Sequence, residues 1–339
     1  MQDVIRLTHA HSAAIDKFCQ NKISSATEGL ETWEAILSKE GASKTSWEKA
    51  IPTMGHMALL RNLRNFEKYN VDESLYLDKL VAGAKDGKQL PFRYYSALRN
   101  TKSLKIEKAL EQCIDISLEN LPQFKGQSLI LADNSGSAVS TPVSNLSSVN
   151  VSTCGNLMGI LTGLVSEEGK LGLFGDKIKY LPINHNFKKT ALQMLNAAND
   201  LGKTVGEATE NGIWLALDDA IRSKAWYDRI FIYSDMQAGH GGLYGLKNQN
   251  YPAWENRIFG TPYIDVPKLV ERYRAEVNPN CKLYSVQIGG YNDNIFPEFY
   301  PNTCILAGWS PELLRFAAMY EQGPESIEGI FRKKFGLTE

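Results

Sequence analysis

The chain has 339 residues, 43% apolar and 22% charged, with a formal net charge of -1. This composition can bury a sizeable core, which excludes disorder over most of the chain, and the length suits two domains. No apolar run is long enough to cross a bilayer, and Met1 to Arg6 lacks a charged segment leading into an apolar one, so neither a membrane span nor a secretory leader is expected. The five cysteines (Cys19, Cys113, Cys154, Cys281 and Cys304) are odd in number and lack C-x-x-C spacing. That argues against a disulfide framework or thiolate metal site and points to a reducing cytoplasm.

Up to about Phe124 the chain reads as helices. Apolar residues recur at three and four spacing in Ala50 to Phe66 and in Tyr94 to Leu118, with turns at Tyr69-Asn70-Val71-Asp72 and Ala84-Lys85-Asp86-Gly87. Stacked antiparallel helix pairs are expected over 1–124. The same region holds a local excess of cations: from Arg61 to Lys108 there are eleven Lys and Arg against six acids.

After Gly126 the pattern changes. Ser128 to Ala132 reads as a buried strand, and further strands are expected at Ile178 to Leu181, Ile230 to Ser234, Leu283 to Ile288 and Thr303 to Ala307. Helices are expected between and after them, at Ser152 to Val165, Lys188 to Leu201, Gly212 to Arg222, Val266 to Glu276 and Pro311 to Tyr320. Alternation of this kind predicts a doubly wound, mainly parallel sheet over 125–339, with ligands at the carboxyl ends of its strands.

Asp133, Ser135 and Ser137 form D-x-S-x-S directly after the first of these strands. Alternate residues on a tight loop turn three hard oxygens toward one point, which suits Mg²⁺ or Mn²⁺. Thr209 and Asp235, each at a later strand or loop end, are candidate further donors. The bland alternative is an Asx-turn or helix cap at Asp133 and a capped strand end at Asp235. The ordered set of Asp133, Ser135, Ser137, Thr209 and Asp235 resembles the metal-ion-dependent adhesion site of von Willebrand factor A domains. Gly212 follows that pattern, but Glu207-Ala208 replace its usual Gly-Gly, which leaves Thr204 as a competing ligand.

The helical part carries a second resemblance. Trp47 to Phe66 (WEKAIPTMGHMALLRNLRNF) is similar to the W-x-x-x-[IL]-P-x-M-x-x-x-A-L-[LI]-R-N-L signature of the TROVE domain, found in Ro autoantigen and telomerase-associated proteins. Val4 to His9, Leu90 to Leu98 and Tyr263 to Glu321 resemble other parts of the same family. This implies HEAT-like helical repeats followed by a von Willebrand A domain, and a partner that is a small non-coding, structured or misfolded RNA. Ro proteins carry a longer set of helices that close into a ring, and here the pattern is entered part-way. Either the chain is a short variant, or a partner or second copy completes the ring.

Arg61, Arg64 and Lys68 can share one helix face, and Lys102, Lys105 and Lys108 repeat the spacing. With Arg93 and Arg99 these are the candidate RNA contacts, and Tyr94 and Tyr95 are candidate stacking residues. The alternatives are a solvated cationic face, core tyrosines, and an Arg61-Asn62 pair that satisfies buried carbonyls. None of His9, His11, His56, His185 and His240 enters a nucleophile or H-E-x-x-H motif, and Gly239-His240-Gly241-Gly242 reads as a flexible loop. A metal-dependent hydrolase would have only Asp235 as its base. The expectation is therefore a non-enzymatic RNA-binding scaffold with a Mg²⁺-dependent site for an acidic protein ligand. The alternative is an assembly subunit that has lost RNA binding.

Overall fold

The computed structural model describes residues 32–87, 89, 91–143, 149–183, 189–207, 212–236, 266–289, 295–297, 300–310 and 312–323. Cys19 and Val4 to His9 lie outside them, as do Gly239 to Gly242 and every histidine except His56. The chain divides into two compact units, Met1–Lys79 and Leu80–Glu339.

In the first unit, α1 (Trp33–Glu40) is capped by Thr32, and α2 (Lys44–Ala50) by a reciprocal Ser43–Ser46 capping box. The expected helix from Ala50 to Phe66 is broken. Pro52 sits in a 3₁₀ turn (Ile51–Thr53), Met54 is extended, and α3 (His56–Lys68) starts afresh after Gly55. Proline and glycine both oppose a continuous helix here, which turns the chain and lets Trp47 meet Phe66 edge-on at 5.4 Å between ring centroids. Phe66 also packs on Tyr76, with centroids 4.7 Å apart. Leu59, Leu63 and Phe66 are buried with Trp47 and Tyr76, so the apolar face of α3 is spent on this core. The short α4 (Leu77–Ala82) follows.

The second unit contains α5 (Pro91–Leu98), α6 (Leu104–Leu118) and the whole sheet. The expected helix from Tyr94 to Leu118 is also split, because Ser103 caps α6 by accepting a hydrogen bond from the Ile106 amide. The sheet has six strands: β1 (Phe124–Asp133), β2 (Ser166–Phe174), β3 (Ile178–Ile183), β4 (Arg229–Ser234), β5 (Lys282–Gln287) and β6 (Thr303–Ala307). Their order is β3-β2-β1-β4-β5-β6, parallel except for β3, which runs against β2. This is the doubly wound order, with its switch point between β1 and β4.

Strand β2 was not expected from sequence, since its first half is polar and carries Gly169. That glycine has a packing reason. A Cβ there would lie 2.7 Å from the backbone of Gly163 on α8 (Val151–Leu164), so the strand and helix touch glycine to glycine. Gly169→Ala is expected to cost about 1–3 kcal/mol, as overpacking that only backbone movement relieves; a shift of less than about 0.5 kcal/mol in denaturant unfolding would refute this contact.

Helix α8 covers one sheet face. On the other, α10 (Ile213–Ser223) and α11 (Val266–Glu276) place Trp214, Leu217, Leu269 and Tyr273 over Leu129, Leu131, Ile230, Ile232 and Leu283. Helix α9 (Ala191–Gly202) packs on α8 and on α6, and α12 (Glu312–Glu321) closes the described chain. Glu111 and Asp115 of α6 meet the start of α9: the Thr190 hydroxyl donates to Glu111 at 2.8 Å and the Ala191 amide to Asp115 at 3.3 Å. Acids at a helix N-terminus complement its dipole and fasten α6 to the sheet-bearing unit. No described helix is long and apolar enough to cross a membrane.

Candidate functional site

The carboxyl ends of β1 and β4 meet at the switch point: β1 ends in Asp133, and Asp235 directly follows β4. Asp133 and Asp235 are both buried. Asp133 accepts from the Ser135 amide at 2.9 Å and from the Ser234 hydroxyl at 2.6 Å. Ser137 donates to Asp235 at 2.7 Å, and the Ser135 and Ser137 hydroxyls are 3.2 Å apart. The first three oxygen-bearing residues of the motif thus converge with Asp235 across the β1–β4 crevice. The short α7 (Gly136–Ser140) begins inside the motif and turns the two serines inward.

Two buried carboxylates so close stress each other. Burial, and then the charge of Asp235, push the Asp133 carboxyl up to about 6, against the opposing hydrogen bonds from Ser234 and Ser135. A hard divalent cation relieves that repulsion, and the donor set of two carboxylates and two hydroxyls fits Mg²⁺ or Mn²⁺. The described residues hold no cluster of three or more His, Cys, Asp or Glu that could bind a metal, so any cation here depends on the serines.

Thr209 lies outside the described residues. Glu207, two positions earlier, is held against the loop by the Gly136 amide, which donates to its carbonyl at 2.7 Å. Thr204 is committed elsewhere: its hydroxyl donates to the Leu201 carbonyl at 2.6 Å and accepts from Lys179 at 2.7 Å, so it does not compete for the site. Gly206 has φ +91°, and a Cβ there would collide with Asp176 in the β2–β3 turn. Only glycine lets the 203–207 segment pass so close.

The loop rests on residues that the motif did not reveal. Asn134 and Asn156 exchange two side-chain hydrogen bonds of 2.9 Å, and Asn156 also donates to Asn199 at 2.9 Å. This buried amide chain ties the D-x-S-x-S loop to α8 and α9. A single Asn within the apolar run of Val151 to Leu164 was its one sequence signal.

The cationic candidates fall in two places. On α3, Arg61, Arg64 and Lys68 are all exposed, on the side opposite the buried leucines. Asn62 is buried and serves its own helix, donating to the Ala58 carbonyl at 2.9 Å. In the second unit Arg93, Arg99, Lys102, Lys105 and Lys108 are exposed. Lys102 lies before the Ser103 cap, so it extends the row from a loop and does not belong to the helical stripe that the spacing suggested. Tyr94 and Tyr95 are 0% and 5% exposed, so the expected stacking platform is core. Apolar packing claimed both rings, and burial raises both phenols.

Residues 22–109 match the TROVE domain family. In a search of solved structures the chain is similar to the crystal structure of the Ro (RSR) protein of Deinococcus radiodurans. The TM-score is 0.57 at 15% identity, over 93% of this chain and 70% of that one. An aerotolerance-related membrane protein of Bacteroides fragilis, carrying multiple mutations to serine, overlaps 58% of this chain and 88% of its own at 14% identity. The TM-score of that overlap is 0.28. No curated protein matches in sequence. The TROVE match lies in the helical region, and the likeness to the Ro (RSR) structure is one of fold, with helices followed by a mainly parallel six-stranded sheet.

Proposed function

We propose that this chain is an RNA-binding scaffold that holds small structured or misfolded RNA in the cytoplasm through exposed cations, without catalysing a reaction. The observation that carries this is the α3 row: Arg61, Arg64 and Lys68 stand exposed on one helix, inside the TROVE-matching segment, while its other face is core. Arg93, Arg99, Lys102 and Lys105 form a second cationic surface in the sheet-bearing unit. Such rows track a phosphate backbone, and binding through them releases counterions. The test is titration of a labelled hairpin RNA with a single-stranded 3′ end across a salt series. Affinity that falls linearly on a log–log plot supports the reading; a folded protein that fails to bind at low salt favours the assembly-subunit alternative.

The metal loop supports a second, separable role. Asp133, Ser135, Ser137 and Asp235 would hold Mg²⁺ or Mn²⁺, with Thr209 as a fifth donor, and the cation would accept an acidic residue from a protein partner. Cation binding stabilises the fold by about 2.7 kcal/mol at a hundredfold excess over Kd. Asp235→Ala is expected to abolish the Mg²⁺-induced rise in Tm. Without Mg²⁺ the same variant should unfold no earlier than the parent, because it also removes the repulsion on Asp133. An undiminished Mg²⁺ response would reject the site.

A further inference from the structure

A cleft of about 410 Å³ opens between α5, α6 and α9, away from the metal loop. Leu98 of α5, Leu104 of α6, Leu192 of α9 and Tyr95 supply its apolar lining, and the other five of its nine lining residues are polar or charged. Leu104 is 72% exposed, a large apolar side chain left in water at the first position of its helix. Arg99 and Lys108 also line the cleft, and both are exposed. Lys102 and Lys105 lie beside them in the chain and continue the cationic row. Of the two acids in the lining, Glu111 is engaged by the Thr190 hydroxyl at 2.8 Å. Glu107 remains as an acceptor, and Asn196 supplies both a donor and an acceptor.

We infer that this cleft takes a single unstacked nucleobase of bound RNA, with the flanking phosphates on Arg99 and Lys108. This rests on the RNA-binding reading and deepens it. The physical grounds are the combination of features. The three leucines suit the flat apolar faces of a base, the polar groups of the lining suit its edge, and the cations at the cleft suit the charge on either side. The volume falls within the range of small-ligand sites, which suits one nucleotide and falls short of the extended groove that an amphipathic protein helix would need.

The test compares a labelled single-stranded RNA of about ten nucleotides with an abasic ribose-phosphate oligomer of equal length and charge, on the full chain at fixed low salt. The parent protein is expected to prefer the base-bearing oligomer by about tenfold, the scale of one stacked base. Leu192→Trp, which fills the cleft from α9, is expected to reduce that ratio to near one while leaving abasic binding and its salt dependence unchanged. Leu104→Ser, at an exposed side chain that the fold does not need, is expected to lower the ratio severalfold. It keeps the test decisive if Leu192→Trp misfolds by circular dichroism. Equal, salt-sensitive binding of both oligomers by the parent overturns the base-binding cleft and leaves the phosphate reading standing. An undiminished ratio in folded Leu192→Trp and in Leu104→Ser also overturns it, leaving the cleft to a protein segment. Failure of the parent to bind either oligomer overturns both readings.

Discussion

Glu321→Ala is expected to destabilise the sheet-bearing unit by about 3–5 kcal/mol, the cost of leaving a buried charge without its partner. Glu321, at the end of α12, pairs with Arg229 at the start of β4 through two hydrogen bonds of 2.8 and 2.9 Å. The Arg229 side chain is 5% exposed. Its remaining guanidinium contacts go to the Ser128 hydroxyl at 3.0 Å and the Lys125 carbonyl at 2.8 Å, with the Phe124 ring centred 5.0 Å away. Tyr284 donates to Glu321 at 3.0 Å, and its phenol is pushed far up by burial and then by the Glu321 charge. One fork therefore joins α12, β1, β4 and β5 at the amino ends of the strands. Removing the carboxylate strands the guanidinium among groups that cannot neutralise it. The double variant Arg229→Met/Glu321→Leu removes both charges and should return to within about 2 kcal/mol of the parent or exceed it. Urea unfolding of the three proteins measures this. A single-variant loss below about 1 kcal/mol would mean that water reaches the pair and that α12 is held by other contacts.

Reversing the α3 row should have the largest effect on RNA. In the triple variant Arg61→Glu, Arg64→Glu, Lys68→Glu the buried face of Leu59, Leu63 and Phe66 is untouched, so each substitution should change stability by no more than about 0.5 kcal/mol. If all three cations contact phosphate, the log–log salt slope should flatten by about 2–3, at roughly 0.7 per contact for single strands and 0.9 for duplex. Affinity at low salt should fall correspondingly. The loss should be uniform across RNA sequences, since phosphate contacts position a strand without reading it. An unchanged slope would place RNA binding off this helix, and a loss confined to one sequence would replace phosphate contact with base reading. Changing Arg99, Lys102 and Lys105 in the same way asks the question separately of the second unit.

Much of this was legible in the chain. Five of the six strands are short apolar runs closed by polar turns, and the D-x-S-x-S turn follows the first of them, so local pattern alone put Asp133, Ser135 and Ser137 at a strand's carboxyl end. Strand β2 was illegible. Ser166-Glu167-Glu168-Gly169-Lys170 has little β character, and it is a strand because β1 and β3 pair with it on either side and Gly169 fits against Gly163. The role of Ser234 was illegible for a similar reason, since a side chain that orients Asp133 from another element leaves no spacing to recognise. Tyr94 and Tyr95 show the opposite failure: an aromatic pair in a basic stretch suits stacking, and only packing decides whether the rings face water. Local pattern was enough for the helical and sheet halves, the D-x-S-x-S turn and the positions of the cations, because each depends on neighbours within a few residues. Only folding decides that the buried carboxyls of Asp133 and Asp235 share one crevice, that Thr204 is tied to Lys179, and that three helices line a cleft of leucines and cations, because each depends on chain segments distant in sequence.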